Sequence, residues 1–158
     1  MSADIILDLA RTKGFRIATA ESCTGGLIVA ALTDIPGSSD VVDRGFVTYS
    51  NAAKIEMLGV RADLIDTHGA VSEEVARAMA EGALTHSAAD IAVSVTGIAG
   101  PGGSEHKPEG RVCFALAAHG ARTSTETVEF GAIGRKAVRA ASVTHALLLM
   151  ERHLSRIA

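Results

Sequence analysis

Apolar and polar positions along this chain of 158 residues recur with two periods, one helical and one strand-like. Over residues 4–13 the spacing predicts an amphipathic helix, with Ile5, Ile6 and Leu9 on one side and Gly14 as its stop. Residues 15–20 then read as a buried strand. A sharp turn follows, 22–32 resumes helical character, and Pro36-Gly37 ends the unit. Residues 41–49 have strand composition with Gly45 in their middle, and 51–58 predict a short helix. Ser72 before Glu73 and Glu74 predicts a helix start, because the hydroxyl can cap while the acids face the positive end of the dipole. That helix should run to about His86, with Val75, Met79 and Ala83 on one face. Residues 91–96 read as a buried strand, and 111–118 with 123–130 as a hairpin turning at His119-Gly120. A long helix from Gly134 to about Ile157 closes the chain.

Helices alternating with strands, then a hairpin, imply a mixed sheet between helical layers: an α/β chain folded as a three-layer α/β/α sandwich. No repeat, linker or low-complexity tail divides it, so 1–158 is expected to be one domain. Hydrophobic residues make up 47% of the chain, yet there is no Trp, one Tyr and four Phe. The core should therefore consist of closely packed small residues rather than aromatic rings.

Composition also removes several classes of function. The net charge is −3, no Lys/Arg run exceeds two residues, and aromatics are scarce, so nucleic acid is not an expected partner. The first eight residues carry two acids and no basic segment, unlike a signal peptide. No apolar stretch nears the roughly 20 residues needed to span a bilayer, so no membrane partner is expected. Cys23 and Cys113 lack metal-type spacing and read as free thiols of a reducing compartment. The expectation is a cytoplasmic protein.

Candidate chemistry begins at Ala20-Glu21-Ser22-Cys23-Thr24-Gly25-Gly26, where a strand passes into a helix. Such a turn puts Ser22 at a helix N-terminus, where unpaired N–H groups can hold an oxyanion; a plain N-cap serine is the alternative. Cys23 is a rival nucleophile or buried filler, and the turn lacks the Gly-Lys-Ser/Thr ending of a phosphate-binding P-loop. Tyr49, the one tyrosine, ends a strand, and Lys54 opens the next helix, so both can enter one crevice. Lys54 can act as a base only if its pKa falls well below about 10.4; otherwise it is a solvated lysine. Tyr49 can relay a proton or stand as a half-buried sheet-edge residue.

The stretch from Thr96 to Gly103 holds four glycines and a proline directly after a buried strand. Loops of this kind expose successive N–H groups and bind anions, although the G-x-G-x-x-G dinucleotide spacing is absent. Lys107 could add positive charge there or be a solvated loop lysine. Arg135, Lys136 and Arg139 share a face at the start of the last helix, where they oppose the macrodipole, which points to an anionic ligand or partner chain, with a solvated face as the favoured reading for Lys136. The histidines form no metal spacing, and neither metal nor other cofactor is expected.

Four segments in fixed order carry a resemblance over nearly the whole chain: Ala20-Glu-Ser-Cys-Thr-Gly-Gly26, Val47-Thr-Tyr-Ser-Asn-Ala-Ala-Lys54, Gly69-Ala-Val-Ser-Glu-Glu-Val75 and Thr96-Gly-Ile-Ala-Gly-Pro-Gly-Gly103. With Lys107-Pro108 they resemble the CinA C-terminal domain family, the nicotinamide-nucleotide amidohydrolases. The resemblance implies deamidation of nicotinamide mononucleotide to nicotinate mononucleotide and ammonia, in pyridine-nucleotide recycling, by an α/β sandwich that forms a homodimer or higher homo-oligomer. It places the catalytic roles on Ser22, Tyr49 and Lys54. Substrate contacts fall on Cys23, Thr24 and Gly25 of the serine turn, on Thr96, Gly97, Gly100 and Gly102 of the glycine loop, and on Arg135. Full-length relatives carry a further N-terminal domain similar to molybdopterin-binding proteins; this chain reads as the stand-alone form, and nothing of that domain's activity is carried over. A nucleotide-binding module without chemistry, acting as a sensor or scaffold, is the competing expectation.

Overall fold

The computed structural model describes residues 3–104 and 106–157. Its sheet has five strands in the order β2-β1-β3-β4-β5: β1 (Ile17–Glu21), β2 (Val42–Val47), β3 (Ile91–Gly97), β4 (Arg111–Ala118) and β5 (Ser124–Glu129). The first three run parallel, while β4 and β5 are antiparallel to their neighbours. Strand β1 is buried along its whole length because β2 and β3 flank it and helices cover both faces, so Thr19 and Glu21 are buried along with Ile17, Ala18 and Ala20.

The two faces are packed differently. On one side lie α1 (Ala3–Lys13), α2 (Leu27–Thr33) and α6 (Arg135–Arg156), against large side chains including Ile17, Ile91, Val93, Val95 and Phe114. On the other lie α3 (Asn51–Leu58), α4 (Ala62–His68) and α5 (Glu73–Thr85). There the strands present Ala18, Ala20, Ala92, Ala115 and Ala117, and α5 meets them with Ala76, Ala80 and Ala83. Small residues on both surfaces let α5 lie close to the sheet. Gly82 continues this closeness outward, since a Cβ there would collide with the Leu58 carbonyl oxygen of α3.

The fold is the three-layer α/β/α sandwich with a mixed sheet expected from the sequence. Local departures are physical. In α1 the buried face is Ala3, Ile6, Leu7 and Ala10, and Ile5 is 46% exposed. The i, i+3, i+4, i+7 stripe runs through alanines that a reading by large side chains passes over. Helix α4 was not anticipated, because its short, polar sequence buries only Ile65. Ser72 caps α5 as expected, accepting from the Val75 N–H at 3.2 Å.

The parallel strands end together. Glu21 is in register with Val47 on β2 and with Val95 on β3. The chain leaves β1 toward α2 on one face, and leaves β2 toward α3 on the other. The crevice beyond their carboxyl ends is the usual ligand position of such a sheet.

Candidate active site

Ser22 is the first residue after β1, and its N–H extends the ladder to the Val95 carbonyl at 3.0 Å. The chain then folds into a tight turn closed by the Gly25 N–H on the Ser22 carbonyl at 3.1 Å. Gly25 and Gly26 follow at φ 60° and 106°, a left-handed pair that residues with a Cβ rarely adopt. Helix α2 begins only at Leu27, with Gly26 as N-cap and no capping side chain of its own. Ser22 therefore does not sit at the helix N-terminus, against the sequence expectation, and it is no N-cap either.

The cap comes from Glu21. This carboxylate is fully buried. One oxygen accepts from the Thr24 hydroxyl at 2.6 Å and from the N–H groups of Gly26 and Ile28 at 3.2 and 2.9 Å. The other accepts from the Val29 N–H at 3.0 Å and the Thr19 hydroxyl at 3.4 Å. The positive end of α2 is thus neutralised internally. The N–H groups of Cys23 and Thr24, which belong to the turn and not the helix, have no hydrogen-bond partner elsewhere among the described residues.

Ser50 caps α3 by accepting from the Ala53 N–H at 3.0 Å, which fixes where Lys54 emerges. The Lys54 side chain is 1% exposed. Its Nζ lies 2.9 Å from Ser22 Oγ, and it donates to the carbonyls of Thr48 and Tyr49 at 3.0 and 3.2 Å. The Ser22 hydroxyl also reaches the Tyr49 carbonyl at 3.3 Å. The serine and lysine proposed from sequence thus form a buried pair, and Tyr49 joins it through its main chain. The Tyr49 ring is turned outward, 59% exposed, with its hydroxyl accepting from Arg135 at 2.8 Å.

These groups open into a cavity of about 230 Å³, lined among others by Ser22, Cys23, Tyr49, Lys54, Thr96, Gly97 and Arg135. Asn51, Ala70, Val71, Ile98, Ala99 and Ser104 complete its wall. Thr24, Gly25, Gly100 and Gly102, also expected to touch substrate, do not line it. Thr24 is spent on Glu21. The Gly100 carbonyl accepts from Arg135 at 2.7 Å, and the Gly102 N–H donates to the Glu109 carboxylate at 2.7 Å. An internal acid therefore already occupies part of the glycine loop, and Arg135 is the cation that borders the cavity. Lys107 points elsewhere, donating to the main-chain carbonyls of His68 and Val71.

Cys23 lines the cavity beside Ser22, but burial pushes its thiol up to about 11, against the pull of its own N–H, Lys54 and Arg139. At neutral pH it is a thiol, a poor nucleophile. Among the described residues no cluster of three or more His, Cys, Asp or Glu side chains could hold a metal ion. No described helix is long and apolar enough to cross a membrane. Sequence reasoning missed Glu21 as the cap, and it left Arg139 as a face-sharing cation. Arg139 instead donates to the Cys23 and Thr24 carbonyls at 3.0 and 3.3 Å.

The CinA C-terminal domain family matches residues 1–154 of this sequence. The chain belongs to that family. CinA-like proteins of Chlorobium phaeobacteroides and Mycobacterium marinum are 57% identical over 129 residues and 55% identical over 141, covering 78% and 89% of this chain. The matches take in 31% and 33% of those two relatives, so the chain spans about a third of the length of the curated relatives it matches. The crystal structure of a competence/damage inducible protein from Agrobacterium tumefaciens is 50% identical, with a TM-score of 0.87 and 96% of each chain covered. CinA-family structures thus share the sandwich whose parallel-strand ends carry Ser22 and Lys54 here.

Proposed function

We propose that the chain hydrolyses the carboxamide of nicotinamide mononucleotide, giving nicotinate mononucleotide and ammonia. The observation that carries this reading is the buried Lys54 Nζ 2.9 Å from Ser22 Oγ, with no metal-binding cluster near it among the described residues. Such a pair suits acyl transfer, in which a serine is activated by an adjacent base. A neutral amine held here donates to the Thr48 and Tyr49 carbonyls and keeps its lone pair for the Ser22 proton.

In the proposed sequence Ser22 Oγ attacks the amide carbon as its proton passes to Lys54. The C–O bond forms, the carbonyl π pair moves to oxygen, and the N–H of Cys23 meets the resulting oxyanion. Lys54 returns the proton to the leaving nitrogen, the C–N bond breaks, and ammonia departs. Water then attacks the acyl ester with Lys54 again as base, releasing the carboxylate and restoring Ser22. Arg135 at the mouth supplies the positive charge that suits a 5′-phosphate, so binding energy from the remote end positions the amide. The Tyr49 phenol sits on Arg135, so its part in this scheme lies at the mouth, while its carbonyl orients the pair.

The test is ammonia release from nicotinamide mononucleotide, with free nicotinamide as a comparison and a chelator present throughout. The reading expects release that survives chelation and disappears in Ser22→Ala, with an acyl adduct on Ser22 trapped by mass spectrometry. Undiminished activity in Ser22→Ala would end it.

A further inference from the structure

Burying a carboxylate is expensive unless it is fully paired, and a helix is ordinarily capped by a Ser, Thr, Asp or Asn standing at its own N-cap position. Helix α2 cannot use that solution, because its N-cap is Gly26, held at φ 106°. Its cap is sent from β1 instead, and it is charged. Five donors converge on Glu21, three of them main-chain N–H groups at the start of α2. This acid is the residue immediately before Ser22, so whatever fixes Glu21 fixes the serine.

The opposite side of the same turn is held by a second charge. Arg139 reaches from α6, 116 residues away in sequence, to the Cys23 carbonyl. That carbonyl and the Thr24 N–H belong to one planar trans peptide and point in opposite directions. A guanidinium bonded to the carbonyls of Cys23 and Thr24 therefore fixes two successive peptide planes, and with them the path of the turn that follows Ser22. We infer that Glu21 and Arg139 are positioning residues, a pair of opposite charges that hold the turn 22–26 so that Ser22 meets Lys54 and the Cys23 N–H of the turn, not the N–H groups of α2, receives the oxyanion.

This inference rests on the acyl-transfer reading of Ser22, and two readouts separate them. Ammonia release reports the amide reaction, and the rate of Ser22 modification by a fluorophosphonate reports serine positioning alone. Glu21→Gln keeps the side chain's shape but offers a single acceptor oxygen, turning an NH₂ toward donors on the other side. Arg139→Met removes the second hold and carries the test if Glu21→Gln fails to fold. Both should lose about tenfold to a hundredfold in kcat, with KM within about twofold, because a small displacement of a nucleophile or an oxyanion donor costs that much. Ser22 labelling should slow in parallel.

Ser72→Ala is the control: it weakens the α5 cap away from the turn, so its kcat per folded molecule should stay at the wild-type value although stability falls. Variants of Glu21 and Arg139 that lose stability but keep kcat and labelling within twofold of wild type would overturn the inference. If the wild-type chain releases no ammonia yet labels at Ser22, the amide reading fails and the labelling rates decide the role of Glu21. Absence of Ser22 labelling in the wild-type chain overturns the positioning role as well.

Discussion

Replacing Lys54 by Arg separates two jobs that one nitrogen performs. The native amine is buried, within 2.9 Å of Ser22 Oγ, and donates to two main-chain carbonyls at 3.0 and 3.2 Å. An arginine keeps donors at this position but is permanently protonated, so it has no lone pair with which to take the Ser22 proton. If Lys54 only held charge near the reaction, Arg would preserve a sizeable share of activity. If it is the base, kcat should fall by the full contribution of general-base catalysis, about 10² to 10⁴-fold. Lys54→Met removes the amine and its donors together and should be at least as inactive. The stability consequences differ in size: Met leaves the Thr48 carbonyl without its donor, a loss of about 1–3 kcal/mol. For a chain of this length that shifts Tm by several degrees only. The assay is steady-state ammonia release from nicotinamide mononucleotide, normalised to folded protein measured by circular dichroism. Lys54→Arg retaining more than a tenth of wild-type kcat would refute the assignment of Lys54 as base.

Three further outcomes follow from the same structure. The Cys23 thiol, raised from its ordinary 9.0 to about 11, is protonated in both folded and unfolded chains below pH 9 and contributes no pH dependence there. Above pH 9 the unfolded chain ionises first, so stability should fall by up to about 3 kcal/mol as pH rises to 11; urea unfolding of wild type and Cys23→Ala across that range should show the extra loss in wild type alone. Gly82→Ala would stabilise an ordinary helix by about 1 kcal/mol, but here the new methyl group meets the Leu58 carbonyl, so denaturation should show a net loss of about 1–3 kcal/mol. Ser72→Ala should cost about 1 kcal/mol through the α5 cap, measured the same way.

What the sequence discloses depends on how far apart cause and effect lie along it. Ser72 and its two acids announce α5 because a cap and its partner are neighbours. The stretches of β1 and β3, in which small and β-branched residues predominate, announce buried central strands for the same local reason. Lys54 and Ser22 could be nominated from their places after strands, but their contact depends on the parallel pairing of β1 with β2, which no local pattern encodes. The role of Glu21 escapes a sequence reading because three of its five donors are main-chain N–H groups, which carry no residue identity. The remaining signal was the charge itself, an acid ending an otherwise uncharged strand before two glycines. Arg139 was recognised as a cation but not as a support, since its acceptors lie at the far end of the chain.

Lys54 is held at Thr48 and Tyr49 by carbonyl oxygens, which every amino acid possesses. At position 49, where the side chain is exposed, it can therefore be exchanged by mutation while the proton acceptor stays in place, provided the strand end keeps its path; the Thr48 side chain is buried and is not free in this way. Tyr49 in particular joins an invariant inner function to a replaceable outer one: its main chain faces the reacting pair, and its ring faces the entrance with Arg135. A lineage could alter what enters this cavity through position 49 without rebuilding the catalytic pair, and a library randomised at that single codon would sample new amides on an intact serine–lysine centre.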